Sequence, residues 1–219
     1  MISRNSVGRL CQILGIDRLS RFLNRYKCTI LMYHGVVPDD CPIDAWTLVK
    51  ESEFRRQMDV LAEHYEVMPI SAVRAFSNGG SGGNGRQKPG AIINFDDGYR
   101  NNYTVAFPIL KEYGFPAAVF VCPGLLDQDE MVWYDKVIYA IQRSSCARVS
   151  IDSRQYDFDC QERSTRWVEI EALLKHLKTR SEQERSRLVD EIVRSLNAPL
   201  DQSECFAFLS EEEVRIMHE

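Results

Sequence analysis

Two adjacent carboxylates, Asp96 and Asp97, have the residue type and the position in the chain to do chemistry. They follow the apolar run Ala-Ile-Ile-Asn-Phe at residues 91–95 and precede Gly98, a pattern that predicts a buried strand ending in a turn. Because neighbouring carboxylates repel each other, such a pair suggests a bound cation or a proton-transfer task. Asp-Gly is also common in solvated turns, so the dipeptide alone leaves both interpretations open.

The patterns around this pair alternate between strands and helices. Residues 28–33 predict a buried strand, residues 52–64 a helix with apolar spacings of three and four, residues 101–113 a second helix and residues 117–121 another strand. This alternation indicates a parallel α/β architecture, which places its chemistry at the carboxyl ends of the strands. Since His34 directly follows the first strand, we expect it at the same edge as the two aspartates.

Longer motifs make the pattern specific. One motif is Asn-Phe-Asp-Asp-Gly-Tyr at residues 94–99, and further motif residues follow it in order up to residue 121. A second motif, Ile-Leu-Met-Tyr-His-Gly-Val, lies upstream at residues 30–36. From about residue 28 to residue 126 the sequence resembles the polysaccharide deacetylase family, also called the NodB-homology domain. The resemblance implies a distorted (β/α) barrel and a metal-dependent hydrolase that removes acetyl groups from N-acetylated sugars.

The resemblance also implies roles for individual residues. Asp96 corresponds to the general base and Asp97 to a ligand of a divalent metal, with zinc the expected ion. His34 and Tyr99 are candidates for substrate contacts or for supporting positions around the site. The family's other two metal ligands belong to a His-x-x-x-His motif, which does not occur among the four histidines of this sequence. The ligand set is therefore expected to be incomplete in this chain.

The sequence predicts an N-terminal amphipathic helical segment at residues 1–27 and a partial deacetylase domain at residues 28–219. Residues 127–205 have a different sequence pattern, which predicts charged amphipathic helices. We interpret this region as a mainly helical insertion or cap. Residues 208–219 resemble the helix that precedes the histidine motif in the family. The expected fold class is thus α/β, a distorted barrel of the polysaccharide deacetylase type that is incomplete at its C-terminal end.

The net charge, the apolar segments and the cysteines indicate which classes of partner and location fit the sequence. The net charge of −5 argues against nucleic-acid binding, and no apolar run approaches the roughly 20 residues that span a bilayer. Arginines and apolar residues between residues 4 and 25 fit either a helix docked on the barrel or a peripheral membrane contact. Seven scattered cysteines without a Cys-x-x-Cys motif, and no signal-peptide pattern, predict reduced thiols in a cytoplasmic protein.

The family resemblance implies one function, and the missing histidines leave an alternative. The first is a hydrolase acting on non-peptide carbon–nitrogen bonds, which removes acetyl groups from a poly- or oligosaccharide. The alternative is an inactive or carbohydrate-binding chain that lacks the metal-binding histidines, because one carboxylate does not hold a catalytic zinc.

Overall fold

The computed structural model describes residues 16–77, 88–128, 131–145, 148–159, 163–198 and 204–218. The chain divides into two compact units. Unit 1 comprises residues 1–40, 47–127 and 208–219, and unit 2 comprises residues 41–46 and 128–207.

Strands and helices alternate along the described residues. The strands are β1 (Cys28–Tyr33), β2 (Gly35–Val37), β3 (Leu48–Lys50), β4 (Glu66–Val67), β5 (Gly90–Phe95), β6 (Ala117–Val119), β7 (Arg148–Ile151) and β8 (Arg154–Asp157). The α-helices are α1 (Ile16–Leu23), α2 (Glu51–His64), α3 (Val73–Ser77), α4 (Phe107–Tyr113), α5 (Trp133–Arg143), α6 (Arg163–Lys178), α7 (Glu182–Leu196) and α8 (Glu211–His218).

Unit 1 is built on a parallel sheet with β5 at its centre. Strand β1 pairs with β5 along its whole length, while β4 and β6 pair with the other side of β5. Every residue of β5 is buried, since Ala91, Ile93 and Phe95 pack against α2 and α4, and Ile92 packs against Met68. The fold class is therefore α/β, as predicted. None of the sheets formed by the described residues closes into a barrel, so the barrel stays a prediction.

Strand β1 corrects the sequence analysis, which predicted a buried strand. Leu31 and Tyr33 contact the core, but Ile30 and Met32 are 59% and 60% exposed. An apolar run indicates a strand, yet its burial depends on what covers each face. Among the described residues, Cys28 at the start of β1 is partly buried near Met68 and Ile92, but nothing comparable covers Ile30 and Met32.

The helix predicted at residues 101–113 is present in two parts. Residues Asn102–Ala106 form a π-helical turn, and α4 follows with Pro108 in its first turn. Proline has no N–H to donate, so it fits the first turn of an α-helix far better than the interior. The sequence after β4 predicts a helix that Ser71 caps and that extends through Phe76, but Ser71 lies instead inside a 3-10 turn that begins after Pro69.

Unit 2 is mainly helical. Helices α5, α6 and α7 accompany the hairpin β7–β8, whose antiparallel register joins Val149 to Tyr156. Ser181 caps α7, because its hydroxyl accepts the backbone N–H of Glu184 at 3.3 Å. The assignment of residues 127–205 as an insertion or cap stays a prediction.

Two predictions fall partly on other residues. Residues 4–15 of the possible membrane contact lie outside the described residues. The sequence of residues 77–88, which holds five glycines, predicts a loop, and residues 78–87 of it also lie outside the described residues. Within the part of the chain that the structure describes, no helix has the length and apolarity needed to cross a membrane.

Candidate active site

Parallel pairing brings His34 and the two aspartates to one edge of the sheet. The register of β1 and β5 pairs Tyr33 with Phe95, so the residues that follow these two strands emerge side by side. The backbone N–H of Asp96 continues the ladder by donating to the carbonyl oxygen of Tyr33 at 2.9 Å. His34 thus lies at the carboxyl edge that carries Asp96 and Asp97, the position that the strand pattern predicts.

Aromatic side chains pack together at the ends of β1 and β5 and hold these two strand ends side by side. The rings of Tyr33 and Phe95 stack with centroids 5.5 Å apart, and Phe54 of α2 meets Tyr33 edge-on at 5.2 Å. The Tyr33 hydroxyl donates to Gln57 Oε1 at 2.6 Å. Burial, reinforced by the charge of nearby Glu53, raises the pKa of Tyr33 to about 12. The layer beneath the site is therefore neutral and closely packed.

The turn after β5 gives the two acids different surroundings. Asp96 is half-buried and accepts the side-chain amide of Asn94 at 3.1 Å. Asp97 has φ of 69° and Gly98 has φ of 78°, a left-handed conformation that Asp and Asn adopt more readily than most residues. This turn reverses the chain, and it leaves Oδ2 of Asp97 3.9 Å from Nε2 of His34. That separation exceeds a hydrogen bond.

Asn101 joins the two segments of the site, and the sequence analysis did not identify it. Its side-chain Oδ1 accepts the backbone N–H of Val36 at 3.0 Å, and both groups are buried. Gly35 lies against the same amide, because a Cβ there would be 2.7 Å from Asn101 Oδ1. The strand after His34 is thereby fastened to the loop that carries the aspartates. A polar residue just before an apolar helix was the available sequence signal.

Tyr99 lies in the core of unit 1. Its side chain is fully buried and stacks on Phe208 with centroids 5.1 Å apart. The backbone around it is tied to the same segment, since the N–H of Leu209 donates to the carbonyl of Gly98 at 2.9 Å. A direct contact between Tyr99 and substrate is inconsistent with this burial, whereas a supporting role through the loop stays a prediction.

A second tie connects the loop to α8. Arg100 Nε donates to Oε1 of Glu213 at 2.7 Å, and Oε2 of the same carboxylate accepts the N–H of Ser210 at 2.9 Å. The Ser210 hydroxyl accepts the N–H of Glu213 at 3.1 Å, which completes a capping box. The loop with Asp96 and Asp97 is therefore braced by β1, β2 and the start of α8.

The described residues do not fit a complete zinc site. They contain no group of three His, Cys, Asp or Glu side chains that could hold a metal ion, whereas a catalytic zinc usually takes three protein ligands and a water molecule. Two ligand atoms on one tetrahedral zinc lie about 3.3 Å apart, closer than the 3.9 Å between Asp97 Oδ2 and His34 Nε2. The carboxylate of Asp97 is partly exposed, with 30% of its side chain accessible.

Comparison with known proteins finds a similarity to one family over part of the chain. A model described as polysaccharide deacetylase matches residues 83–186. A Bacillus subtilis (strain 168) protein named as a polysaccharide deacetylase, YxkH, is 32% identical over 100 residues, which are 43% of this chain and 32% of that protein. The chain thus spans about a third of the length of this curated relative.

Two solved structures are also similar. The Streptococcus pyogenes deacetylase PplD in complex with acetate is 31% identical, with a TM-score of 0.38, and the match covers 46% of this chain and 45% of that one. IcaB from Ammonifex degensii is 17% identical, with a TM-score of 0.38 and coverage of 88% and 96%. The family model and the curated relative agree: through residues 83–186, which include Asp96 and Asp97, the chain is similar to the polysaccharide deacetylase family.

Proposed function

We propose that Asp96 and Asp97 form part of a hydrolase site that removes acetyl groups from the N-acetylated sugars of a poly- or oligosaccharide. The observation that carries the proposal is the position of the two acids, which lie inside the family match at the carboxyl edge of a fully buried parallel strand. We further propose that the sheet of unit 1 belongs to a distorted (β/α) barrel of the deacetylase type.

Asp96 is proposed as the general base. Asn94 orients its carboxylate through one oxygen at 3.1 Å, and a carboxylate so held can accept the proton of an attacking water. The water oxygen bonds to the acetamide carbonyl carbon, and the carbon–nitrogen bond then breaks. Acetate is released, and the proton passes to the nitrogen, which becomes the free amine of the sugar.

Asp97 is proposed as a ligand of a divalent metal, with zinc the expected ion. Its left-handed backbone and the contact of Asp96 with Asn94 distinguish the two acids, which supports two distinct roles. His34 is proposed as a neighbouring group that supports Asp97. The remaining ligands are not supplied by the described residues.

The lack of further metal ligands among the described residues favours a second candidate function. If no further ligand joins Asp97, the chain would be an inactive or carbohydrate-binding relative of the deacetylases. Both candidates share a carbohydrate partner, so binding of sugar alone does not separate them. Release of acetate does.

The test is acetate release from N-acetylglucosamine oligomers by the purified chain after removal of metal and addition of zinc or cobalt. The first candidate requires further residues to complete the ligand set; it then predicts metal-stimulated release that falls about 10²- to 10⁴-fold in Asp96→Asn, the usual effect of removing a general base. The bound metal, measured by elemental analysis, should be retained in Asp96→Asn and lost in Asp97→Asn. Asparagine is chosen at Asp97 because it also tolerates a positive φ.

Asp40→Asn is the matched control, since it makes the same change at an exposed aspartate of unit 1. It should keep both metal and turnover. Equal loss of metal in the Asp96 and Asp97 variants would contradict the division of roles. Binding of the oligomers without acetate release under every metal condition would contradict the hydrolase and support the second candidate.

A cytoplasmic location and a peripheral membrane contact remain proposals of the sequence analysis. Leu19, Phe22 and Leu23 of α1 are each more than half exposed, which supports a contact with apolar surroundings. Arg25 lies over the Phe22 ring at 4.2 Å, next to these apolar side chains. Co-sedimentation with anionic vesicles should be lost in Phe22→Ser if this helix binds membranes; unchanged sedimentation would refute the contact.

A further inference from the structure

Two cysteines that are 164 positions apart in the sequence lie side by side in unit 2. The Sγ atoms of Cys41 and Cys205 are 2.7 Å apart, and both residues are partly exposed. A disulfide bond is about 2.05 Å long, so a small side-chain movement would bring the two sulfur atoms to bonding distance. The other described cysteines, Cys28 and Cys122, belong to unit 1.

The segment that carries Cys41 is held on unit 2 by its neighbours. Ile43 and Ala45 are buried, and the backbone of Asp44 exchanges two hydrogen bonds with the side-chain amide of Gln142. The indole N–H of Trp167 donates to the Asp44 carboxylate at 3.4 Å. None of these contacts involves sulfur, so they place Cys41 independently of its thiol.

Cys205 is also positioned by a neighbour. It lies in the 3-10 turn Glu204–Phe206, and the side chain of Phe206 is fully buried. On the other side of the pair, the Cys41 thiol lies 3.9 Å from the carbonyl oxygen of Ile43, near its own segment. Two separately anchored backbones thus present their sulfur atoms to each other.

We propose that Cys41 and Cys205 form a reversible disulfide when the protein meets a low-molecular-weight disulfide such as oxidised glutathione. One cysteine thiolate attacks a glutathione sulfur and releases one reduced glutathione, which leaves a mixed disulfide on the protein. The second cysteine thiolate then attacks the protein sulfur and releases the other reduced glutathione. Two protein thiols are oxidised, one glutathione disulfide is reduced, and the two thiol protons pass to the two glutathione molecules that are released.

The bond would convert a non-covalent attachment into a covalent one. Residues 41–46 lie within the connection from β2 to β3, and β2 begins one residue after His34. Oxidation would fasten this connection to the Glu204–Phe206 turn within unit 2. The sequence analysis expected reduced thiols, and the geometry identifies the pair whose state depends on the surrounding redox conditions.

The experiment treats the folded chain with oxidised glutathione, then removes the reagent, denatures the protein and counts thiols. The reduced protein should show all seven cysteines, and the oxidised protein should lose two of them. Non-reducing peptide mass spectrometry should join the peptides of Cys41 and Cys205 with a loss of two hydrogens, and dithiothreitol should reverse this. The oxidised wild type should also melt at a higher temperature than the reduced protein, because a cross-link restricts the unfolded chain.

Single variants make the outcome decisive. In Cys41→Ser the second step is blocked, so a glutathione adduct should accumulate on Cys205, and Cys205→Ser should give the converse adduct. Cys28→Ser, a matched change in unit 1, should still form the Cys41–Cys205 bond. Stable glutathione adducts on both cysteines of the wild type, or a cross-link that joins other cysteines, would overturn the proposal.

Discussion

The side-chain oxygen of Asn101 accepts the backbone N–H of Val36 at 3.0 Å, across 65 residues of sequence. This bond fastens the strand after His34 to the loop that carries Asp96 and Asp97. A buried backbone N–H that loses its acceptor is costly, because water cannot replace it. The candidate site therefore depends on a residue that does no chemistry itself.

Asn101→Ala should lower the free energy of unfolding by about 1–3 kcal/mol, the usual cost of a buried group left without its partner. Asn102→Ala is the matched control, since Asn102 is equally buried but neither of its amide atoms has a hydrogen-bond partner among the described residues. Asn102→Ala should lower the free energy of unfolding by clearly less than Asn101→Ala does. Urea unfolding of both variants measures the difference, and equal losses would show that the bond to Val36 contributes little.

Gly35→Ala should destabilise the protein by about 1–3 kcal/mol through overpacking. The new methyl group would lie 2.7 Å from Asn101 Oδ1 and 2.8 Å from Leu48 Cδ2. Gly124→Ala offers a comparison in the same unit, because no atom lies within 4 Å of a Cβ there. Its effect should stay within about 0.5 kcal/mol. Thermal unfolding distinguishes them; a wild-type melting temperature for Gly35→Ala would contradict the close approach.

Two adjacent glutamates on α8 should behave differently. Glu213→Ala removes both the capping box and the contact with Arg100, and we expect a loss of about 1–2 kcal/mol. Glu212→Ala removes an exposed ion pair with Arg215 at 3.4 Å, for which the expected loss is below about 1 kcal/mol. The two unfolding free energies should therefore separate, and an equal or larger loss in Glu212→Ala would refute the bracing role of Glu213.

Tyr33 should make unfolding depend on alkaline pH. Its pKa is about 12 in the folded protein and 10.0 for an unperturbed tyrosine, so the folded state holds the proton more tightly. The corresponding stabilisation is fully present below pH 10 and is lost as the pH rises towards 12. It amounts to about 2–3 kcal/mol at 1.36 kcal/mol for each pKa unit.

The measurement compares wild type with Tyr33→Phe, which cannot ionise at this position. The stability advantage of wild type over the variant should shrink between pH 10 and pH 12, because phenylalanine has no proton to lose. Other tyrosines ionise in both proteins and cancel in the difference. Parallel loss of stability in the two proteins would show that burial of Tyr33 does not hold its proton.

The strand–helix order and the edge that carries the site could be predicted from sequence, because both follow from local patterns. The apolar run at residues 91–95 and the helical spacing at residues 52–64 each match an element of the structure. Once two strands are parallel, their carboxyl ends share an edge, so His34 and Asp96 could be placed together. Local periodicity carries this information directly.

Contacts between distant residues could not be predicted in this way. Nothing near Asn101 in the sequence identifies Val36 as its partner, and Arg100 and Glu213 are 113 positions apart. Tyr99 belongs to a motif of the site but lies in the core, because Phe208 stacks on it. The exposure of Ile30 and Met32 likewise depends on which layers cover the sheet, and a single strand does not encode its coverage.

The pairing of Tyr33 with Phe95 also has a kinetic consequence. Parallel strands so far apart in sequence raise the contact order, and such non-local pairings close slowly because the intervening loop must first be ordered. The helices can form from local contacts well before the sheet is complete. His34 and the aspartates can share an edge only after this non-local pairing has formed, so assembly of the site depends on the slow class of contacts.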